Sequence, residues 1–334
     1  MAGSGYRERL MRDDDVLPRG IFQPMDLHLT QEQAFSLIRD VVTEVEWPDL
    51  EGATAQTISG SLSEPSPSLL SFLPSLTYLA AGGEGPAAVP ITASWLLYRL
   101  AAKVLDDVVD DDAAEDAPWG KWPKGRAMNV GIGLMFLAQS CLSRMQASAV
   151  TQREIQETIS QTLAFMTRGQ AQPPTQPNLE DYMRYIYLKS GVFLGTFAWA
   201  GACIHTRSRR VTRALFDFGS ALGTLIQIND DLTDLVGPKA LTDWSSGIYT
   251  LPVIYALGHV EHPKHPQLSK SLEAYRAGES TLLRDILEIF DDMGVPTQCV
   301  QLAQLYLREA EHALHIFSGA QVEPLQQVLS EYSA

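Results

Sequence analysis

Residues 87–105, AAVPITASWLLYRLAAKVL, are apolar on nearly every side of a helix and run directly into DDVVD. A helix with so little polar face belongs in the middle of a bundle, covered by other helices. That one segment demands a large all-α core. The chain can build one, with 334 residues, 45% hydrophobic and only 19% charged,. The segment LTQEQAFSLIRDVVTEV (29–45) has helical apolar spacing, with Thr30 as N-cap and Gln33 at the capping-box interval,. A Ser/Pro-rich linker, SGSLSEPSPS (59–68), leads into SLLSFLPSLTYLAAGG (68–83), a helix stopped by Gly82 and Gly83.

Further helices are predicted over 87–110, 125–148, 151–170, 178–206, 211–236, 250–259, 279–292, 297–317 and 321–332, with a loop over 237–249. No period-two alternation is long enough for a sheet, and no repeat has a solenoid period. The expected fold class is all-α. It is a single large helical bundle over 29–334, preceded by a flexible polar segment, 1–28.

A net charge of −15 repels nucleic acid and anionic lipid,. An anionic substrate remains accessible if metal cations intervene. Cys141, Cys203 and Cys299 are odd in number, far apart and free of CxxC spacing, which predicts neither a disulfide framework nor a zinc site,. They suit a reducing cytoplasm. No uncharged apolar run reaches the roughly 18 residues of a membrane span, and the first residues lack a signal-peptide core.

The acidic residues carry the functional reading. Asp106, Asp107 and Asp110 stand at i, i+1 and i+4, so their carboxylates are expected to share one patch of the helix end,. A helix C-terminus is already negative, so each carboxylate there costs roughly 0.3–1 kcal/mol. A local cation relieves that repulsion, and oxygen-only donors select a hard ion, Mg²⁺ above all when phosphate is present. The chain repeats the device in GSALGTLIQINDDLTDLVG (219–237). Asp230, Asp231 and Asp234 have the same spacing there, with Gln227 on the same face. Two such helices facing each other would hold a cluster of ions around a diphosphate.

With these motifs the chain resembles the trans-isoprenyl diphosphate synthase (polyprenyl synthetase) family, the class I isoprenoid synthases. The matching elements are DDVVD (106–110), RGQ (168–170), LKSG (188–191), QINDDLTD (227–234), Asp243 and GIYTLP (247–252), in the family's order. The resemblance implies an all-α fold with a central active-site cavity and a homodimer. It assigns the two aspartate sets to metal binding. Lys189, Gln170 and Gln227 become contacts to an allylic diphosphate substrate.

The departures matter as much. Chain-elongating members carry a basic GGKRxRP-like element that binds isopentenyl diphosphate. The corresponding SPSLLSFLPSLTYLAAGG (66–83) has no Lys or Arg. Glu115 and Asp116 stand where a pair of arginines follows the first motif, and Ile248–Tyr249 where a lysine precedes TLP. The run APWGKWPKGRAMNVGIGLMFLA (117–138) looks like the branch that prenylates a tryptophan of competence-pheromone peptides. Lys121, Lys124 and Arg126 are its candidate replacement cations.

The resemblance thus implies Mg²⁺-dependent ionisation of an allylic prenyl diphosphate, C15 or longer, and transfer to an acceptor other than isopentenyl diphosphate, such as a peptide or aromatic group. Small Ala101 and Ala102 before the first motif imply room for the tail, with Tyr98 and Trp95 as its floor. A terpene cyclase, an ordinary isoprenyl diphosphate synthase and a non-catalytic regulatory subunit stay open as alternatives.

Overall fold

A computed structural model describes residues 26–63, 68–110, 113–114, 116–233, 235 and 242–333. All regular structure among them is helical, with no strand. The all-α expectation holds. The helices are α1 (Leu27–Thr43), α2 (Pro48–Ser63), α3 (Leu73–Ala80), α4 (Val89–Asp110), α5 (Lys124–Ser143), α6 (Ala149–Ala171), α7 (Leu179–Ile186) and α8 (Val192–His205). They continue with α9 (Arg209–Thr233), α10 (Thr242–Ser245), α11 (Leu251–Gly258), α12 (His265–Arg276), α13 (Leu283–Asp292), α14 (Val295–Leu314) and α15 (Gly319–Ser330). They group into two compact units that interleave along the chain. One comprises Met1–Ile159, Phe197–Leu215 and Ile316–Val328; the other comprises Ser160–Thr196, Phe216–His315 and Leu329–Ala334.

In the first unit α4 is the central element, packed by α1, α3 and α5. Its buried residues include Ile91, Ala93, Trp95, Leu97, Tyr98, Ala101 and Val104, on several faces, as an apolar helix without a polar face requires,. Trp95 satisfies its indole by donating to the Leu70 carbonyl at 3.0 Å. Phe197 packs against both Trp95 and Tyr98, with ring centroids 5.1 and 5.9 Å away. Gly131 of α5 lets α4 come close, since a Cβ there would sit 2.8 Å from Leu105 Cγ.

The second unit has its own core, with Leu225, Ile228, Leu251, Ile254, Leu272, Ile286 and Phe290 fully or almost fully buried. Here α11 packs on α7, α12 and α14.

Several predicted boundaries move. Asp26, not Thr30, caps α1: its carboxylate accepts the Leu29 N–H at 3.0 Å, while the Thr30 hydroxyl turns back to the Asp26 carbonyl at 2.9 Å. Helix α2 runs into the expected linker. Its signals are Pro48 at the first position and Asp49 and Glu51 in the first turn,. Helix α12 was likewise not predicted, and the 237–249 loop contains the short α10. The predicted helix over 178–206 is interrupted at Tyr187–Gly191 by a single π-turn, closed by the Val192 N–H on the Tyr187 carbonyl. All three cysteines are buried free thiols. No described helix is long and apolar enough to cross a membrane.

Candidate functional site

The last turns of α4 carry the first aspartate set. Asp106 and Asp107 are half-buried and Asp110 is exposed. Tyr98, Ala102 and Asp106 lie at i, i+4 and i+8 on one face of α4, with Tyr98 and Ala101 buried and Ala102 half-buried,. Burial pushes the Tyr98 phenol well above its ordinary range. Asp107 is held at both oxygens. Trp119 Nε1 donates to Oδ2 at 2.8 Å, and Lys103 Nζ donates to Oδ1 at 3.2 Å. Trp119 is buried in a short 3-10 turn, Pro118–Lys121, whereas the Lys103 side chain is 58% exposed and solvent weakens its pair,.

Arg126 makes a two-pronged ion pair with Asp49 of α2 and lies over the Trp122 ring. Lys121 and Lys124 are exposed.

In the second unit the LKSG element forms the π-turn, and glycines explain why it fits. A Cβ on Gly169 would lie 3.0 Å from Leu188 Cβ and 3.3 Å from Lys189 N. One on Gly223 would lie 2.6 Å from the Ser190 carbonyl oxygen, and one on Gly191 2.9 Å from Thr224 Oγ1. The backbones of α6, the π-turn and α9 thus meet where only hydrogen fits. This convergence puts the RGQ, LKSG and QINDDLTD elements side by side. Ser190 Oγ donates to Gln227 Oε1 at 3.1 Å, and Lys189 Nζ lies 6.0 Å from the Tyr185 ring centre. Gln170 Oε1 is buried and accepts no hydrogen bond among the described residues. A buried orphan acceptor is costly unless a ligand or ion meets it.

At the end of α9, Asp230 is exposed and Asp231 is 7% exposed. Asp231 Oδ2 accepts the Tyr182 hydroxyl at 2.8 Å and the Leu251 N–H at 2.9 Å, tying α9 to α7 and to the start of α11. Burial, then the Asp231 charge, push the Tyr182 phenol far up, so it stays a donor. The same two causes push the Cys299 thiol up to about 12. Downstream, Arg276 stacks 3.6 Å above the Trp244 ring, and Tyr249 donates its N–H to the Pro174 carbonyl at 3.3 Å, which fixes the start of GIYTLP.

The expected patch of three converging carboxylates is not present as a ready-made ligand set. Among the described residues no group of three or more His, Cys, Asp or Glu side chains is placed to hold an ion. Both Asp107 oxygens and one of Asp231 already accept hydrogen bonds. The donor chemistry still fits Mg²⁺, which is commonly held by one or two carboxylates completed by substrate phosphate oxygens. Asp234, Asp111, Asp112 and Glu115 lie outside the described residues.

Fold and site together define an all-α protein whose long buried helices end in carboxylates. A sequence profile described as polyprenyl synthetase matches residues 76–291. The chain belongs to that family. It is 24% identical over 315 residues to the short chain isoprenyl diphosphate synthase of Methanothermobacter thermautotrophicus, covering 90% of this chain and 94% of that one. In fold it is similar to a decaprenyl diphosphate synthase from Rhodobacter capsulatus, with TM-score 0.79, 20% identity and coverage of 92% and 97%. A polyprenyl synthase from Caulobacter crescentus complexed with calcium and isoprenyl diphosphate is similar too, with TM-score 0.76, 20% identity and coverage of 92% and 95%.

Proposed function

We propose that the chain is an isoprenyl diphosphate synthase that ionises an allylic prenyl diphosphate and joins the prenyl group to isopentenyl diphosphate. The observation that carries this reading is family membership together with aspartate pairs at the ends of α4 and α9. The named relatives are diphosphate synthases, which favours elongation over the transfer to another acceptor expected from sequence. In the reaction the allylic carbon–oxygen bond breaks with both electrons going to diphosphate. The isopentenyl double bond captures the cation, and a proton is lost. Asp106, Asp107 and Asp110 in the first unit, and Asp230, Asp231 and Asp234 in the second, are the residues that would hold Mg²⁺, which when bound would supply Lewis-acid stabilisation of a departing diphosphate. Lys189 adds positive charge to the diphosphate, and Gln170 and Gln227 orient it. The Asp106–Ala102–Tyr98 face of α4 lines the tail and excludes water from the cation.

One observation favours a second reading, prenyl transfer to a different acceptor. Residues 66–83 contain no Lys or Arg, and Arg126 is committed to Asp49. A second diphosphate needs cations of its own. Incubation with farnesyl diphosphate and Mg²⁺, with and without isopentenyl diphosphate, separates the two. Products longer by whole isoprene units support elongation. Farnesyl diphosphate consumed only with a peptide or aromatic acceptor supports the second reading, and a cyclic hydrocarbon overturns both.

The homodimer is part of the same proposal. Phe136 is 70%, Met128 45% and Ile132 43% exposed, at i, i+4 and i+8 on α5. Residues 127–143 carry no charged side chain, so two copies meeting there bring no like charges into direct contact. We expect light scattering to give a dimer for the wild type and a monomer for Phe136→Glu. A monomeric wild type contradicts the assignment.

A further inference from the structure

The two aspartate pairs share a feature that the reaction chemistry does not require. In each, the second carboxylate accepts a hydrogen bond from a buried aromatic side chain on a different element. Trp119, 6% exposed, donates to Asp107 Oδ2 at 2.8 Å; Tyr182, 1% exposed, donates to Asp231 Oδ2 at 2.8 Å. The donors lie 12 residues downstream and 49 residues upstream of their partners, so neither contact is a by-product of local helix geometry.

Both donors are neutral. A lysine or arginine in their place would also orient the carboxylate, but it would cancel the negative charge that attracts a cation. An indole N–H or phenol O–H fixes the oxygen and leaves the charge in place; the Lys103 ammonium that also reaches Asp107 Oδ1 is 58% exposed, so solvent screens it,. Adjacent aspartates at a helix C-terminus repel each other and the local dipole. Free side chains would therefore swing apart into solvent. A rigid buried donor holds one member of each pair in a single rotamer and so limits where its neighbour, Asp106 or Asp230, can point. Groups that orient a metal's carboxylate ligands in this way tune affinity without touching the ion.

We propose that Trp119 and Tyr182 are positioning residues for the two aspartate pairs and set the affinity of this chain for divalent cation with diphosphate. The inference rests on the reading that these aspartates carry the metal. Tyr182→Phe is the cleanest variant, because it removes one oxygen and keeps the ring in the core. Trp119→Phe makes the matching change at the other pair, and Trp119→His restores a ring N–H.

The test is titration of the full-length protein with Mn²⁺ in the presence of inorganic diphosphate, read by electron paramagnetic resonance of the free ion. Thermal melting of each variant is recorded alongside. The expected result is an apparent Mn²⁺ dissociation constant raised about tenfold or more in Tyr182→Phe and Trp119→Phe, with partial recovery in Trp119→His. Wild-type affinity in both phenylalanine variants overturns the inference and leaves the functional reading standing, whatever the melting temperatures do. A wild-type protein that binds no Mn²⁺ with diphosphate overturns both.

Discussion

Replacing Asp106 with Ala is expected to lower the rate of allylic diphosphate ionisation by about a thousandfold. Metal-assisted stabilisation of a leaving group is worth several kcal/mol, at roughly 1.4 kcal/mol per tenfold. Asp106 lies in the last turns of α4, beside Asp107 and Asp110, where like charge and the helix dipole both oppose a carboxylate,. The melting temperature of Asp106→Ala is recorded alongside, to separate loss of function from loss of fold. Asp230→Ala, exposed at the end of α9, should behave alike. A large activity loss with no stability loss marks a functional group rather than a structural one. Unchanged turnover in either variant refutes its assignment.

Gly223→Ala is the second large effect, and it has the opposite signature. Its Cβ would meet the Ser190 carbonyl oxygen at 2.6 Å, the carbonyl carbon at 2.9 Å and Gly191 Cα at 3.1 Å. Every one of those atoms is backbone, so no side chain can swing away. Overpacking of this kind costs about 1–3 kcal/mol. Relief comes by moving α9 or the π-turn that carries Lys189. With Lys189 in its proposed role at the diphosphate, a displacement of about an ångström costs on the order of a hundredfold in rate. Gly223→Ala should therefore lose both melting temperature and activity. Gly52→Ala in α2, with nothing within 4 Å of the added Cβ, should raise the melting temperature without touching activity,.

The parts legible in the sequence were those with a strong period or a hard stop. The apolar run before Asp106 announced a buried helix, and α4 is one. Gly82 adopts φ 96° and ends the α3 region where the sequence places a stop. The missed helices are polar or mixed. α2 reads PDLEGATAQTISGSLS, rich in Gly, Ser and Thr, and α12 reads HPQLSKSLEAYR. The propensity of α2 is weak, and tertiary packing overrides it; α12 has good helix formers but buries only Leu268 and Leu272, too few to show a period. The π-turn was hidden because LKSG sits in an otherwise helical pattern. Its cause is long-range, in Gly169 and Gly223, and only the meeting of backbones makes those glycines informative.

Within the site the aspartates were legible as residue types at a helical spacing, but their partners were not. Nothing in the sequence marks Trp119 as the donor to Asp107 or Tyr182 as the donor to Asp231, because a single hydrogen bond across elements leaves no period. Arg126 has a partner that was equally hidden. Its position in a basic, aromatic run suggested a diphosphate contact, yet Asp49 on an unpredicted helix takes its guanidinium.

The central claim is that this chain breaks the carbon–oxygen bond of an allylic diphosphate with the help of a divalent ion. Positional isotope exchange tests it independently of the acceptor. Geranylgeranyl diphosphate labelled with heavy oxygen at the bridging position is incubated with protein and Mg²⁺, and the recovered substrate is analysed by phosphorus NMR. Movement of label into the non-bridging positions, absent with chelator and absent in Asp106→Ala, is the predicted result. Label that stays wholly in the bridge, with no substrate consumed, contradicts it.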